Sequence, residues 1–360
     1  MLTIVIFIII LGVLVLVHEF GHFVTAKRAG MAVEEFGFGF PPRLWSVKKG
    51  ETRYSINWIP FGGFVKITGE DGTHRDDPRS FTSKSGWSRA LVLVAGVLMN
   101  VILAFVLLSI GNAVGLRVGL FSNDEINHAQ DIKVQIIEVK PNSPAALAGL
   151  TVLDEIVGFQ ETNGEVKVSN VDQVQQYIVA HKGQEIAVEI REGKSVVVKK
   201  LTPRINPPAG EGGLGISLAT TGIVRYPLYQ AIVRGAQDTG AILVNTAVGY
   251  ATLIKNLFIH GRPGVELSGP VGLAVITGQA AKLGFTYLMQ FTALISINLA
   301  ILNIIPFPAL DGGRLLFLII EKIKRSPISK RVEMTANTVG FALLIMLMIY
   351  VTTKDVIKLF

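Results

Sequence analysis

The sequence predicts a multi-span α-helical membrane protein of about four transmembrane helices, with a soluble α+β module inserted on one side and a β-hairpin against the membrane on the other. Three observations carry that expectation. Half of the 360 residues are hydrophobic and only 17% are charged, too apolar a balance for an ordinary soluble domain. Four apolar stretches, at 2–24, 89–111, 286–310 and 335–352, approach or exceed the roughly 20 residues that a helix needs to cross a bilayer. Between the second and third runs a long polar region with strand-like alternation.

The first span is expected to stay in the protein. It lacks a basic leading region and a small-residue cleavage site, so it does not read as a signal peptide. Loop charge then sets the orientation. Residues 25–87 carry ten Lys/Arg, and the loop 311–334 carries Arg314, Lys322, Lys324, Arg325, Lys330 and Arg331. Both loops therefore face the cytoplasm, which leaves both termini and the region 112–285 outside. Within the first loop, "RYSINWIPFGGFVKITGED" (53–71) alternates in period two around Gly62–Gly63 and reads as a β-hairpin or two short strands at the membrane surface. Gly37 and Gly39, interleaved with Phe36, Phe38 and Phe40, suggest backbone that must approach something closely.

The outer module is expected at about 130–205. "IKVQIIEV" alternates as a strand, "NSPAALAGL" turns into a short helix ended by Gly149, and "QEIAVEIREGKSVVVKKL" reads as two strands joined at Glu192–Gly193. "VSNVDQVQQYIVAHKG" is helical, with Val171, Val174 and Ile178 on one face. The stretch 236–260 carries Asp238, Asn245, Lys255 and Asn256, and is read as an amphipathic helix against the membrane or the bundle. The chain thus divides into 1–111, 112–220, 221–285 and 286–360.

With no cysteine, disulfides and thiolate metal sites are excluded. The net charge of +7 falls on loops rather than in a basic patch interleaved with aromatics, so a lipid bilayer is the expected partner and nucleic acid is not.

The chemistry concentrates in "VLVHEFGHFV" (15–24), where His18, Glu19 and His22 close an almost unbroken apolar run. Ionisable groups at membrane depth need partners. H-E-x-x-H on a helix sets two imidazoles on one face to hold a metal ion, with the glutamate beside them as base. A site with one open position needs a third protein ligand. "NLAILNIIPFPALDGG" (298–313) offers Asp311, preceded by Pro306 and Pro308 and followed by Gly312–Gly313. The alternative for Asp311 is a solvated turn at the membrane surface. Depth favours the ligand: His18 lies about 24 Å along its helix at 1.5 Å per residue, and the span leading to Asp311 runs in the same direction.

These motifs resemble the bacterial site-2 proteases, intramembrane zinc metalloproteases of the regulator-of-sigma-E-protease type. The resemblance covers nearly the whole chain: "HEFGH", "GFGF", "FGGFVKI", "NSPAALAGL", "SGPVG" and "NIIPFPALDGG" in that order. It implies an outer module that is PDZ-like, a Zn2+ cofactor held by His18, His22 and Asp311, and Glu19 as catalytic base. It further implies that Asn303 holds substrate backbone, and that the 54–67 hairpin (Gly62, Gly63, Phe64) adds an edge strand to an extended substrate. Substrates are expected to be single-span membrane proteins, such as anti-sigma factors or signal-peptide remnants, in the bacterial cytoplasmic membrane. Asn100 and Asn298 are read as interhelical polar contacts, and His74, His128, His181 and His260 as surface residues. A catalytically silent scaffold of the same fold and a metal transporter are the competing readings. Glu19 argues against the first, and the absence of carboxylate or histidine in the cores of the second and fourth spans argues against the other.

Overall fold

Lipid offers backbone amides no partners, so apolar segments satisfy them internally as helix. The computed structural model describes residues 2–74, 76–120, 128–161, 164–192, 195–261, 268–326 and 328–357. The chain separates into two compact units, 111–231 and a second one assembled from 1–110 and 232–360.

The second unit begins with α1 (Leu2–Arg28) and a small sheet of β1 (Val33–Lys49) and β2 (Thr52–Ile67), followed by α2 (Gly86–Val114). After the other unit come the remaining helices: α5 (Leu228–His260), α6 (Pro270–Leu283), α7 (Phe285–Ile304), α8 (Asp311–Lys324) and α9 (Lys330–Ile357). Among the described residues five helices are long and apolar enough to cross a membrane: α1, α2, α5, α7 and α9. The sequence reading counted four. The additional candidate is α5, which extends eight residues further toward the N-terminus than the amphipathic segment expected at 236–260.

The stretch read as a single span at 286–310 is broken. α7 stops at Ile304, and the next helix begins only at Asp311. Pro306 and Pro308 lack the amide that helix continuation needs, and each disfavours helical backbone at the residue before it. The intervening loop is held from α9. Asn337 Oδ1 accepts from the Ala309 amide at 3.1 Å, and a Cβ on Gly340 would stand 2.5 Å from the Pro308 carbonyl oxygen. The charged 311–334 segment, expected as a loop, contains α8, an amphipathic helix.

The hairpin differs in its turn. Chain reversal occurs at Gly50–Glu51, and β2 runs through Gly62–Gly63 without leaving the sheet. Gly62 has φ +84°, which bends the strand. Residues 33–38 of β1 then pair on one edge with 53–56 and on the other with 63–67 of the same β2, so two strands build a sheet four segments wide. The glycines of β1 serve this packing. A Cβ on Gly37 would lie 2.5 Å from the Phe64 ring, and one on Gly39 would lie 2.6 Å from the Ile59 carbonyl oxygen. Met31, Val33 and Ile67 are buried together with Ala26 of α1 and Val92 and Leu93 of α2, which locks the sheet to the helices.

Among the described residues, unit 111–231 shows a β-sheet with two short helices. Its strands are β3 (Leu116–Gly119), β4 (Gln130–Val139), β5 (Glu155–Glu161), β6 (Gly164–Lys167), β7 (Ile186–Glu192), β8 (Ser195–Leu201) and β9 (Ile216–Val224). They lie in the order β3-β9-β4-β5-β7-β8, with β6 paired to β5. α3 (Pro144–Leu147) starts where the Ser143 side chain accepts from the Ala146 amide, and α4 (Val171–Ala180) starts under an Asn170 cap. Val174 and Ile178 pack with Ile136, Ile156, Phe159, Val188 and Ile190 in one core. Gly193, at the expected β7–β8 turn, lies outside the described residues. The sequence reading did not assign β3, β5 or β6 to strands.

Candidate metal centre

α1 is helical without interruption through 15–24, so His18 and His22 share a face, and both are buried. The loop after α7 returns the chain to that face, and α8 begins on it with Asp311. His18 Nε2 lies 2.9 Å from Asp311 Oδ2, His22 Nε2 lies 3.3 Å from the same oxygen, and the two Nε2 atoms are 3.1 Å apart. Among the described residues this is the group of histidines and carboxylates arranged to hold a metal ion.

Three features test whether the group fits zinc. The three atoms form a triangle close to one face of a tetrahedron, whose edges are about 3.3 Å for bonds of about 2.0–2.1 Å. His22 Nδ1 donates to the Val92 carbonyl oxygen at 2.8 Å, so the neutral ring turns a lone pair on Nε2 into the triangle. The facing wall is also made to leave room. A Cβ on Gly96 of α2 would lie 2.5 Å from His22 Nε2 and 2.7 Å from His18 Nε2. The nitrogen and oxygen donors, the tautomer and the open cradle all suit zinc.

Glu19 is half-buried beside the histidines, and its Cγ lies 3.5 Å from the position of a Cβ on Gly63. The 63–67 edge of the sheet therefore passes next to Glu19. Gly63 is buried, while Gly62 and Phe64 are half-buried, with the Phe64 ring turned toward Gly37. Asn303 sits in the last turn of α7, eight residues before Asp311, and is half-buried. Its side chain makes no hydrogen bond to the described residues. His74, His128 and His260 are exposed, whereas His181 is partly buried and stacks on Tyr177 at 4.2 Å between ring centroids. Asn298 accepts from the Tyr250 hydroxyl of α5 at 3.1 Å, an interhelical contact as expected.

The sequence reading missed the contribution of α2. Val92, Gly96 and Asn100 recur every four residues and form the stripe that faces the histidines. The signal was present in "AGVLMN", but the spacing says only that one face is shared, not what lies opposite.

A model of peptidase family M50 matches residues 6–347. A Clostridium perfringens protein provisionally named a zinc metalloprotease is 38% identical over 345 residues, covering 96% of this chain and 95% of its own. The zinc metalloprotease RasP of Oceanobacillus iheyensis is 31% identical with both chains fully covered. The regulator of sigma-W protease RasP of Bacillus subtilis is 30% identical over 99% of each chain. A family model and relatives that span the whole chain, together with a triangle of donors suited to zinc, lead to one conclusion: the chain belongs to peptidase family M50, the site-2 proteases, and is a zinc metalloprotease.

Proposed function

We propose that this protein hydrolyses peptide bonds within or near the transmembrane segments of single-span membrane proteins, with His18, His22 and Asp311 as zinc ligands and Glu19 as general base. The observation that carries the reading is the 2.9–3.3 Å triangle of ligand atoms set into apolar helices beside a carboxylate. A centre in that setting meets only peptide bonds that enter the membrane.

Bound zinc supplies Lewis acidity to water and to the scissile carbonyl. Glu19 takes the proton of the attacking water and returns it to the leaving amine. Residues 63–67 pair with β1 on one edge and with no strand on the other among the described residues. An extended substrate can add there by main-chain hydrogen bonds, which brings its backbone past Glu19 and along Gly62, Gly63 and Phe64. A transmembrane helix must unwind before cleavage, and a waiting strand edge offers its freed amides partners. Asn303, at the end of α7, donates to the substrate carbonyl.

Chain direction supports a four-span topology, and loop charge favours both termini outside. Thr3 of α1 packs on Gly278, ahead of α7, while His18 meets Asp311 beyond it, so α1 and α7 run the same way. An odd number of crossings must separate them, and α2 supplies one. α5 then lies against the bundle rather than completing a crossing, and the Tyr250–Asn298 bond fits that placement. The 111–231 unit, on this topology, is an extracytoplasmic PDZ-like module that admits substrates already trimmed outside. The name of the Bacillus subtilis relative ties that protein to sigma-W regulation and favours an anti-sigma factor as the substrate here.

The test co-expresses wild type or Glu19→Gln with a tagged single-span substrate. Cleavage by wild type alone is expected. Equal cleavage by both would remove Glu19 from the chemistry and with it this reading.

A further inference from the structure

Asn100 is fully buried on α2, one helical turn after Gly96, and its amide reaches toward the metal centre. Its Nδ2 is placed 3.4 Å from His18 Nδ1, and its Oδ1 has no hydrogen-bond partner. A buried amide oxygen without a partner carries its desolvation penalty unrelieved. The two ends of an asparagine amide have the same shape, and the hydrogen-bond network decides which one faces a neighbour.

His18 makes that decision. Its Nε2 faces Asp311 and His22. For Nε2 to offer a lone pair there, the ring proton must sit on Nδ1, which then needs an acceptor. His22 solves the same problem with the Val92 carbonyl. At His18 the atom within reach belongs to the Asn100 amide, and half a turn of that amide sets Oδ1 against Nδ1–H. The same turn ends the isolation of the oxygen. A few tenths of an ångström of closure then brings the pair into the ordinary hydrogen-bond range. The link between α2 and α7 at this level is made by the Asn100 backbone, whose carbonyl accepts from Ser296 Oγ at 2.8 Å.

We propose that Asn100 is a positioning residue of the metal centre: through Oδ1 it accepts from His18 Nδ1–H and keeps the Nε2 lone pair aimed where those of His22 and Asp311 converge. The proposal rests on the ligand assignment above. Outer partners of metal-bound histidines fix ring orientation and raise ligand basicity, and their loss weakens metal affinity roughly 10- to 100-fold.

The experiment measures zinc affinity of the full-length protein in detergent by chelator competition, with helical content checked by circular dichroism. Asn100→Leu removes the acceptor at similar volume and is expected to weaken zinc by roughly 10- to 100-fold. Asn100→Asp keeps an acceptor and is expected to bind zinc at least as tightly as wild type. Should Asn100→Leu fail to fold, Asn100→Ala takes its place with the same expectation. Wild-type affinity in the acceptor-less variant would overturn the proposal, and so would equal weakening by Asp and Leu, which marks a packing role. His22→Ala separates the two levels of the argument. If it retains wild-type zinc affinity, the ligand assignment fails, whatever Asn100 does.

Discussion

Gly96 offers a direct perturbation of the centre without touching a ligand. In Gly96→Ala the added methyl would stand 2.5 Å from His22 Nε2 and 2.7 Å from His18 Nε2, where ordinary contact begins at 3.4 Å. The shortfall is therefore about 0.9 Å at the nearer ring. α2 cannot simply withdraw by that amount. Gly21 of α1 already sits so close that a Cβ on it would lie 2.4 Å from the Ala95 carbonyl oxygen, and His22 is tied to Val92. Relief must come from the imidazoles, which turn away from Asp311. Loss of outer support alone weakens a metal site by roughly 10- to 100-fold, so displacing two ligands at once is expected to exceed about 100-fold. Helix stability moves the other way, because alanine favours helix over glycine by up to about 1 kcal/mol. The assay pairs chelator competition for zinc with thermal unfolding of the metal-free protein. A Gly96→Ala protein that keeps helical content and binds zinc like wild type would show that the cradle is not where the metal sits.

Four further outcomes follow from the geometry. Asp311→Asn is expected to lose zinc on dialysis while the helices stay intact, and undiminished zinc would remove Asp311 from the ligand set. Asn337→Ala leaves the Ala309 amide without its acceptor, a change of about 1 kcal/mol. It should lower the thermal midpoint slightly and loosen zinc, because the loop it releases leads into Asp311. Gly63→Val projects a branched side chain toward Glu19 from the strand edge. Cleavage of a single-span substrate should fall at least about tenfold while zinc content stays unchanged, as expected for loss of transition-state contact rather than of the metal. In the other unit, Phe159 is fully buried and stacks on Tyr177 at 3.8 Å between centroids. Phe159→Ala should therefore destabilise that unit by about 3–5 kcal/mol in denaturant titration.

The metal triangle was legible because its parts are chemically out of place. Histidine and carboxylate in apolar sequence demand a partner, and chain direction put Asp311 at the depth of His18. The helical runs and the strands β4, β7 and β8 were legible from their periods. The wrap of β2 around β1 was not. Gly62–Gly63 has the composition of a turn, yet the strand continues because both of its halves find partners on opposite edges of 33–38. α8 was hidden by its charges, which set membrane orientation and helical amphipathicity at once. Asn100 looked like any polar group between helices. Its meaning depends on which atom of which ring it faces, and that is a tertiary fact with no local signature.

The distance in sequence between His18 and Asp311, 293 residues, has a consequence for how the enzyme comes into being. At ribosomal speeds of about 5–20 residues per second, roughly 15–60 s separate the synthesis of His18 from that of Asp311, the proposed third ligand. Through that interval the nascent chain already carries His18, Glu19 and His22, but on the proposed assignment it cannot close the ligand set. A chain whose synthesis stops early, or whose last helices fail to dock, is left without proteolytic power. The membrane is thereby protected from half-made copies of the protease.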